Sequence, residues 1–163
     1  MMKDDDLRDG EILLPFDPSE MAADARLMFI GRIRSPWTDR KTCPHNIAEA
    51  RTRGGGATVE VDAPFRQGLR GVEKHTHVIL LYWLDRARRD LIVQRPRQAE
   101  HTSGVFALRS PVRTNPIGLA VVKLLAIDER TGRLEIEAID CLDGTPLIDI
   151  KPYIARVDFG GPS

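Results

Sequence analysis

The chain has 163 residues, of which 42% are hydrophobic and 29% charged, and its mean hydropathy is −0.27. This length suits one domain with its own hydrophobic core, and this composition excludes a disordered or fibrous protein. No apolar run approaches the roughly 18 to 20 residues of a membrane span. Residues 1–10 lack the basic and apolar regions of a secretory signal. We therefore expect a cytoplasmic protein that does not associate with a membrane.

The formal net charge is zero, but the charges are unevenly distributed. Residues 1–25 carry two basic and eight acidic side chains, residues 26–113 carry 17 and eight, and residues 114–163 carry five and eight. The basic middle can attract an anionic partner such as RNA over a Debye length of about 8 Å. An ordinary solvated, arginine-rich surface is the alternative.

Prolines and glycines mark the boundaries of the predicted elements in the first half of the chain. Residues 1–25 are predicted to be an acidic N-terminal tail, residues 26–158 a β-domain and residues 159–163 a C-terminal tail. Residues 27–33 read as a strand that ends before Pro36, and residues 38–56 as a long loop suited to shaping a ligand site. A second strand is predicted at residues 57–61 and a short helical turn at residues 64–71.

The second half of the chain is richer in strand signals. Residues 77–84 form a nearly continuous apolar run, which predicts a strand buried on both faces. Residues 86–97 read as an exposed basic connection, although Leu91, Ile92 and Val93 can pack. Further strands are predicted at residues 104–108, 117–127 and 133–139, the last two joined by a hairpin turn. The fold class is therefore mostly β: a small closed or nearly closed antiparallel β-barrel with short helices, not a Rossmann fold.

The common enzyme signatures are absent, including GxGxxG, GxxxxGK[ST], HExxH and GxSxG. Two cysteines are too few for a disulfide framework, and we expect free thiols. Cys43 with His45, and His75 with His77, are each two residues apart, a spacing that does not match a zinc site. We therefore expect no bound metal.

Two proline-bearing turns carry dense polar side chains. Residues 109–118 place Arg109, Arg113 and Asn115 beside two prolines, which stiffen the connection. Residues 140–153 place three aspartates around a Gly-Thr-Pro turn, which suits an adenine edge or an ammonium group. An Asx-turn in which Asp143 satisfies its own loop amides is the structural alternative.

Several strings together resemble one known family. They are IGRIRSP at residues 30–36, RGVE at 70–73 with His77, GVFALRS at 104–110, NPIG at 115–118 and DGTPLIDIKPY at 143–153. Their order and spacing are similar to the TsaA/TrmO-like family of tRNA methyltransferases that act on N6-threonylcarbamoyladenosine next to the anticodon. The resemblance implies a β-barrel methyltransferase that binds S-adenosylmethionine and works as a homodimer, with the cofactor near the subunit boundary.

The resemblance also implies a cofactor pocket, carried over position by position. Its residues would be Pro44, His45, Asn46, Leu84, Asp85, Arg109, Leu119, Asp140, Cys141, Leu142, Asp143 and Gly144. The family often has Arg-Gln where this chain has His45-Asn46.

Methyl transfer to a carbamoylated adenosine needs precise positioning and benefits from a nearby base or polarising donor. Candidates for that catalytic role are Asp143, Asp149, His77 and Tyr153. Arg109 and Arg113 can also pair with a carboxylate of the substrate or the cofactor. The candidate contacts to tRNA phosphates are Arg51, Arg53, Arg86, Arg88, Arg89 and Arg113.

A non-catalytic β-barrel module that binds a nucleotide or RNA is the competing hypothesis. Composition does not separate it from the enzyme, whereas specific binding of S-adenosylmethionine favours the transferase.

Overall fold

The strands of the chain form a closed barrel and a separate small sheet in this computed structural model, which describes residues 7–20, 24–97 and 99–159. Over those residues the strands are β1 (Ile12–Leu13), β2 (Gly31–Arg34), β3 (Ala57–Val61), β4 (His77–Trp83), β5 (Leu91–Gln94), β6 (Ser103–Gly104), β7 (Ile117–Asp128), β8 (Arg133–Ile136) and β9 (Thr145–Pro152). The α-helices are α1 (Ile47–Thr52) and α2 (Ala155–Asp158), and 3₁₀ helices occur at Ala63–Leu69, Val72–Lys74 and Val105–Ala107.

The barrel closes in the order β2-β3-β8-β7-β4-β9. Ile33 of β2 lies opposite Val59 on one side and Thr145 on the other, and Leu80 of β4 lies opposite Ile150 of β9. These ladders are antiparallel. The predicted fold class, a mostly β chain built on a closed antiparallel barrel with short helices, is confirmed.

Inward-facing side chains of the strands make the core. Along β4 the inward residues Val78, Leu80 and Tyr82 are buried, whereas the alternate residues are half-buried. The prediction that this strand is buried on both faces is therefore wrong, because a barrel strand has one inward face. Burying each such aliphatic side chain contributes roughly 1.5 to 3 kcal/mol.

The chain divides into two compact units. The second unit, residues 27–84 and 118–163, contains the barrel core. The first unit, residues 1–26 and 85–117, contains a three-stranded sheet in the order β1-β5-β6. The predicted boundaries of the tails and the domain stay predictions. The N-terminal aspartates, residues 4–6, lie outside the described residues, and so do residues 160–163 of the C-terminal tail.

Several predicted elements have different bounds in the structure. The first barrel strand begins at Gly31, and residues 27–29 before it are exposed. The strand predicted at 104–108 ends at Gly104 and continues as a 3₁₀ helix, and the one predicted at 133–139 ends at Ile136. Residues 86–97 are not a plain connection, because they include β5, in which Leu91 is buried.

Other predicted elements agree with the structure. The strands at 57–61 and 117–127, the turn at 128–132 and a 3₁₀ helix at Ala63–Leu69 are confirmed. The sequence did not predict β9, because its aspartates and prolines made that segment read as a turn. It also did not predict α1 within the loop at residues 38–56. No helix in the described residues is long and apolar enough to cross a membrane.

Candidate functional site

One end of the barrel gathers most of the candidate cofactor residues of the second unit. At this end β2 and β4 finish and β7 and β9 begin, and we call it the loop end. Leu84 follows β4, Leu119 lies near the start of β7, and residues 140–144 lead directly into β9. Antiparallel pairing therefore brings together segments that are far apart in the sequence.

The segment 139–145, here called the site loop, is fixed to the end of β2 and to the segment that follows it. The Asp143 and Gly144 amides donate to the carbonyls of Trp37 and Ile33, at 2.7 and 2.9 Å. The Ser35 hydroxyl donates to the Cys141 carbonyl at 2.8 Å, which ties the two segments a third time. Because both backbone and side-chain groups hold the loop, its polar groups have fixed directions.

Trp37 anchors the base of the site loop. Its indole Nε1 donates to the Ile139 carbonyl at 2.8 Å, and its side chain is 8% exposed. The Arg53 guanidinium lies over the ring, 4.4 Å from its centroid. A Cβ atom at Gly55 would lie 2.7 Å from this ring, so glycine is required there.

Asp140 is half-buried in the site loop. Its Oδ1 accepts a hydrogen bond of 2.9 Å from the Tyr82 hydroxyl, and its carbonyl accepts one of 3.4 Å from the Cys43 thiol. For Oδ2, the described residues supply no recorded hydrogen bond. A carboxylate with one oxygen fixed in this way can present the other to an ammonium or hydroxyl donor of a ligand.

Asp143 caps the end of β2. Its Oδ1 accepts from the Ser35 amide at 3.2 Å, and its Oδ2 lies 3.9 Å from Arg34 Nη1. Glu60, at 2.9 Å from Arg34 Nε, raises the pKa of that guanidinium, with Asp143 adding to the effect. The site loop turns at Gly144, the next residue, whose φ of 78° favours glycine. Asp143 satisfies an amide of the RSP segment rather than one of its own loop.

The predicted cofactor residues Pro44, His45 and Asn46 precede α1. Asn46 is the N-cap, and its side chain accepts from the Glu49 amide at 2.9 Å. The Glu49 carboxylate accepts from the amide of His45, the residue before the N-cap, at 2.9 Å, so a second hydrogen bond holds the start of the helix. Pro44 is buried, whereas the His45 side chain is exposed and can face a ligand.

Both cysteines are free thiols. Burial, followed by the Asp140 charge, raises the pKa of Cys43 to about 11. Burial also raises the pKa of Cys141, which is 2% exposed. Both thiols are therefore less reactive at neutral pH than an exposed cysteine.

The four predicted catalytic residues do not meet in one place. Asp143 lies at the loop end, whereas Tyr153 follows the other end of β9 and His77 begins β4 beside it, with ring centroids 6.3 Å apart. The eight residues of β9 separate the two groups by about 25 Å along the strand. Asp149 lies between them and pairs with Lys151 at 2.8 Å, which raises the pKa of Lys151.

Candidate residues in the first unit fall on its loops. Asp85, Arg86 and Arg109 are exposed. The Arg113 guanidinium donates to the Leu108 carbonyl at 3.1 Å and so closes its own loop.

The arginines predicted to contact phosphates differ in how strongly other residues of the chain hold their side chains. Arg88 makes a bidentate pair with Asp90 at 2.8 and 3.0 Å, which lowers the pKa of that carboxyl, and Arg89 donates to the Thr114 carbonyl at 2.7 Å. For Arg86, by contrast, no hydrogen bond or ion pair with another described residue is recorded.

The two arginines of α1 and its C-cap are held by the second unit. Arg51 pairs with Glu137 at 2.9 Å and donates to the Val121 carbonyl at 3.0 Å. Burial would raise the pKa of Glu137, but hydrogen bonds from the Lys123 amide and Arg51 lower it. Arg53 pairs with Glu49 at 3.2 Å in addition to stacking on Trp37.

Among the surface cavities that described residues of the barrel line, two are shallow and have volumes of about 340 Å³ each. The first is lined by Arg34, Ser35 and Glu135 among others, but by no residue of the site loop, whereas the second lies around Arg66 and Arg133. Within the described part of the chain, no group of three or more His, Cys, Asp or Glu side chains could hold a metal ion.

The residues that frame the site loop are the ones that sequence reasoning did not find. Ser35, Trp37 and Tyr82 all contact the loop by hydrogen bonds. The RSPW sequence at residues 34–37 was the available signal. A proline is enough to end a strand, so the serine and the tryptophan beside it indicate a further role.

Comparison with known proteins identifies the class of this barrel. A probable S-adenosyl-L-methionine-binding protein of Archaeoglobus fulgidus is 45% identical over 83% of this chain and 36% of its own length. The probable S-adenosyl-L-methionine-binding protein VirR of Rhizobium radiobacter is 39% identical over 90% of this chain and 79% of its own length. A crystal structure of TrmO from Pseudomonas aeruginosa is 34% identical with a TM-score of 0.65, and covers 83% of this chain and 58% of that one.

The fold and the site loop thus define a small β-barrel domain similar to proteins named for binding S-adenosyl-L-methionine. Residues 32–159 match the model of the tRNA-methyltransferase O N-terminal domain, and the chain belongs to that family. The family expected from the sequence strings is confirmed. The chain spans about a third of the Archaeoglobus relative and just under three fifths of the TrmO structure.

Proposed function

We propose that this chain is an S-adenosylmethionine-dependent methyltransferase that acts, in the cytoplasm, on the N6 nitrogen of threonylcarbamoyladenosine in tRNA. Membership of the tRNA-methyltransferase O family supports the reaction class. The observation that carries the proposal is the site loop, which fixes Asp140 and Asp143 at the loop end, where Leu84 and Leu119 also lie.

The chemistry of these residues fits S-adenosylmethionine. Its α-ammonium and ribose hydroxyls need acceptors, and the carboxylates of Asp140 and Asp143 are acceptors held in place. Its adenine ring needs apolar neighbours, which Pro44, Leu84 and Leu119 would supply. When bound, the cofactor supplies an electrophilic methyl group on a positively charged sulfur.

The N6 nitrogen must lose its proton as it is methylated, and a fixed acceptor would assist that loss. Of the four catalytic candidates, Asp143 lies at the loop end and is the one we retain for this role. His77 and Tyr153 lie at the opposite end of β9, too far to serve the same reacting atoms within one chain. Asp149, paired with Lys151, would act as a structural residue.

Recognition of tRNA would use exposed arginines. Arg86 is exposed and is our first candidate for a phosphate contact, with Arg88 and Arg89 nearby in the sequence and Arg113 on a later loop of the same unit. Arg51 and Arg53 already hold Glu137 and Trp37, so contact with RNA would draw on the remaining N–H donors of their guanidinium groups.

We also propose that the chain works as a homodimer. The outward face of β7 exposes 45% of Leu119 and 57% of Leu125, and Met28 is 71% exposed before β2. Exposed apolar side chains that cluster on one face are typical of an interface between subunits. Analytical ultracentrifugation should give twice the chain mass, and Leu125→Glu should give the monomer mass; a monomeric wild-type protein contradicts this part of the proposal.

Mass spectrometry of nucleosides from tRNA incubated with the protein and S-adenosylmethionine tests the reaction. We expect methylated threonylcarbamoyladenosine from the wild-type protein and much less from Asp143→Asn, which keeps the shape of the side chain. Cofactor binding without any methylated nucleoside would instead favour a non-catalytic nucleotide- or RNA-binding barrel module.

A further inference from the structure

The acidic N-terminal segment adds a strand to the sheet of the first unit. In this sheet Ile12 lies opposite Val93 and Leu13 opposite Leu91, and the Leu14 amide donates to the Asp90 carbonyl at 2.7 Å. The segment therefore lies along β5, in the most arginine-rich part of the chain.

Carboxylates of this segment contact Arg95 directly. The Glu11 carboxylate accepts from the Arg95 amide at 3.0 Å, and Asp9 Oδ2 lies 3.8 Å from Arg95 Nη1. The Arg8 guanidinium donates to the Arg95 carbonyl. Asp9 thus lies where the Arg95 guanidinium would otherwise meet an anion, and Glu11 occupies the Arg95 amide, a second donor that an anion can use.

The attachment of the segment is weak. Strand β1 has two residues, and its pairing with β5 changes register between them. Ile12 is 53% and Phe16 47% exposed, and the Asp9 carboxylate is almost fully exposed. A two-residue strand with little apolar burial separates easily from a sheet, and exposed ion pairs weaken in salt.

We infer that RNA phosphates bind at Arg95 and its arginine neighbours, and that the acidic strand occupies this surface in the free protein and is displaced when RNA binds. The inference rests on the tRNA-binding part of the proposed function, and it adds Arg95 to the residues that contact RNA. The carboxylates of Asp9 and Glu11 mimic phosphate oxygens, since both are anionic acceptors of arginine and amide donors.

Competition for this surface is measured with two variants of the full chain that change the net charge equally. Asp9→Asn with Glu11→Gln removes the two charges that face Arg95. Glu20→Gln with Asp24→Asn removes two charges for which no contact with the described residues of 85–97 is recorded. If the strand covers the surface in about nine molecules of ten, the first variant should bind total tRNA about tenfold more tightly and the control should bind as the wild type does.

Hydrogen exchange provides the second readout. The amides of Leu14 and Arg95 donate to Asp90 and Glu11, and both should exchange faster once tRNA is bound. Equal affinities of both variants and the wild type, equal gains in both variants, or unchanged protection of these amides in the tRNA complex would each overturn the inference while leaving tRNA binding intact. If no variant binds tRNA, the tRNA part of the proposed function fails as well, whereas cofactor binding is unaffected.

Discussion

The hydroxyl of Tyr82 donates a hydrogen bond of 2.9 Å to the carboxylate of Asp140, across the loop end of the barrel. Tyr82 is a core residue of β4, 4% exposed, so a rigid strand fixes the direction of a carboxylate in the site loop. Tyr82 is therefore a positioning residue for cofactor binding in our proposal.

Tyr82→Phe keeps the ring and removes this bond. We expect the affinity for S-adenosylmethionine to fall about tenfold, or about 1.4 kcal/mol, which is near the lower end of the range for a hydrogen bond to a charged group. Isothermal titration calorimetry measures it. Tyr153→Phe removes the other tyrosine hydroxyl of the chain, at the opposite end of β9, and should leave the cofactor affinity unchanged. Equal affinities of Tyr82→Phe and the wild type would contradict the positioning role.

Gly118 leaves the space that the Tyr82 ring occupies. A Cβ atom at Gly118 would lie 2.0 Å from Cε2 of Tyr82. Gly118→Ala must therefore displace the ring, and we expect the free energy of unfolding to fall by about 1 to 3 kcal/mol and cofactor affinity to fall with it. Urea denaturation and calorimetry measure the two effects.

Gly68→Ala is the matched control for this substitution. A Cβ atom there meets no atom within 4 Å, so the variant should behave as the wild type does. If Gly118→Ala were as stable as Gly68→Ala, the close packing of Tyr82 on β7 would be wrong.

The burial of Cys43 predicts a pH dependence of its alkylation. With a pKa of about 11, compared with 9.0 for an ordinary thiol, the native thiol stays neutral at pH 8. Its thiolate fraction is then about a hundredfold lower than that of an exposed cysteine, and iodoacetamide should react correspondingly slowly. Peptide mass spectrometry follows Cys43 separately from Cys141.

The same raised pKa affects stability at high pH. The unfolded chain releases the Cys43 proton at a lower pH than the folded chain does, so this contribution to the free energy of unfolding is complete below about pH 9 and is lost as the pH rises towards 11. Alkylation of Cys43 in the native protein as fast as in the urea-unfolded chain would show that the thiol is not buried.

Much of the barrel could be predicted from the sequence, since alternating or continuous apolar runs mark β3, β4 and β7. Strand β9 could not, because its pairing with β2 and β4 overrides the turn propensity of its prolines and aspartates. Strand β1 could not be predicted from the sequence either, because this two-residue strand depends on its pairing with β5.

The candidate site, too, could be predicted from the sequence only in part. The resemblance to the family indicated residues 140–144 of the site loop, and the structure gathers Leu84 and Leu119 at the same end of the barrel. Sequence reasoning also grouped Asp143 with His77 and Tyr153 by chemistry alone, and the antiparallel course of β9 separates them. Which side chains share one barrel end depends on strand register, which composition and spacing do not reveal.

Arg86 tests the predicted contact with tRNA. We expect Arg86→Ala to weaken tRNA binding and to reduce the slope of log affinity against log salt concentration by about 1, since one phosphate contact is lost. Fluorescence anisotropy at several salt concentrations measures both. Arg130→Ala, which removes an arginine that is 86% exposed and outside the predicted set, should leave the slope unchanged. If both variants had the wild-type slope, Arg86 would not contact RNA.

Titration of S-adenosylmethionine into the full chain, followed by calorimetry, tests most directly whether the site loop holds the cofactor. We expect saturable binding of one molecule per chain by the wild-type protein, and a loss of at least tenfold in affinity for Asp140→Ala, in which the carboxylate held by Tyr82 is gone. If the folded wild-type protein gave only the heat of dilution, no cofactor would bind, and a cofactor site at this loop would be contradicted. An Asp140→Ala variant that binds as tightly as the wild type would contradict it as well.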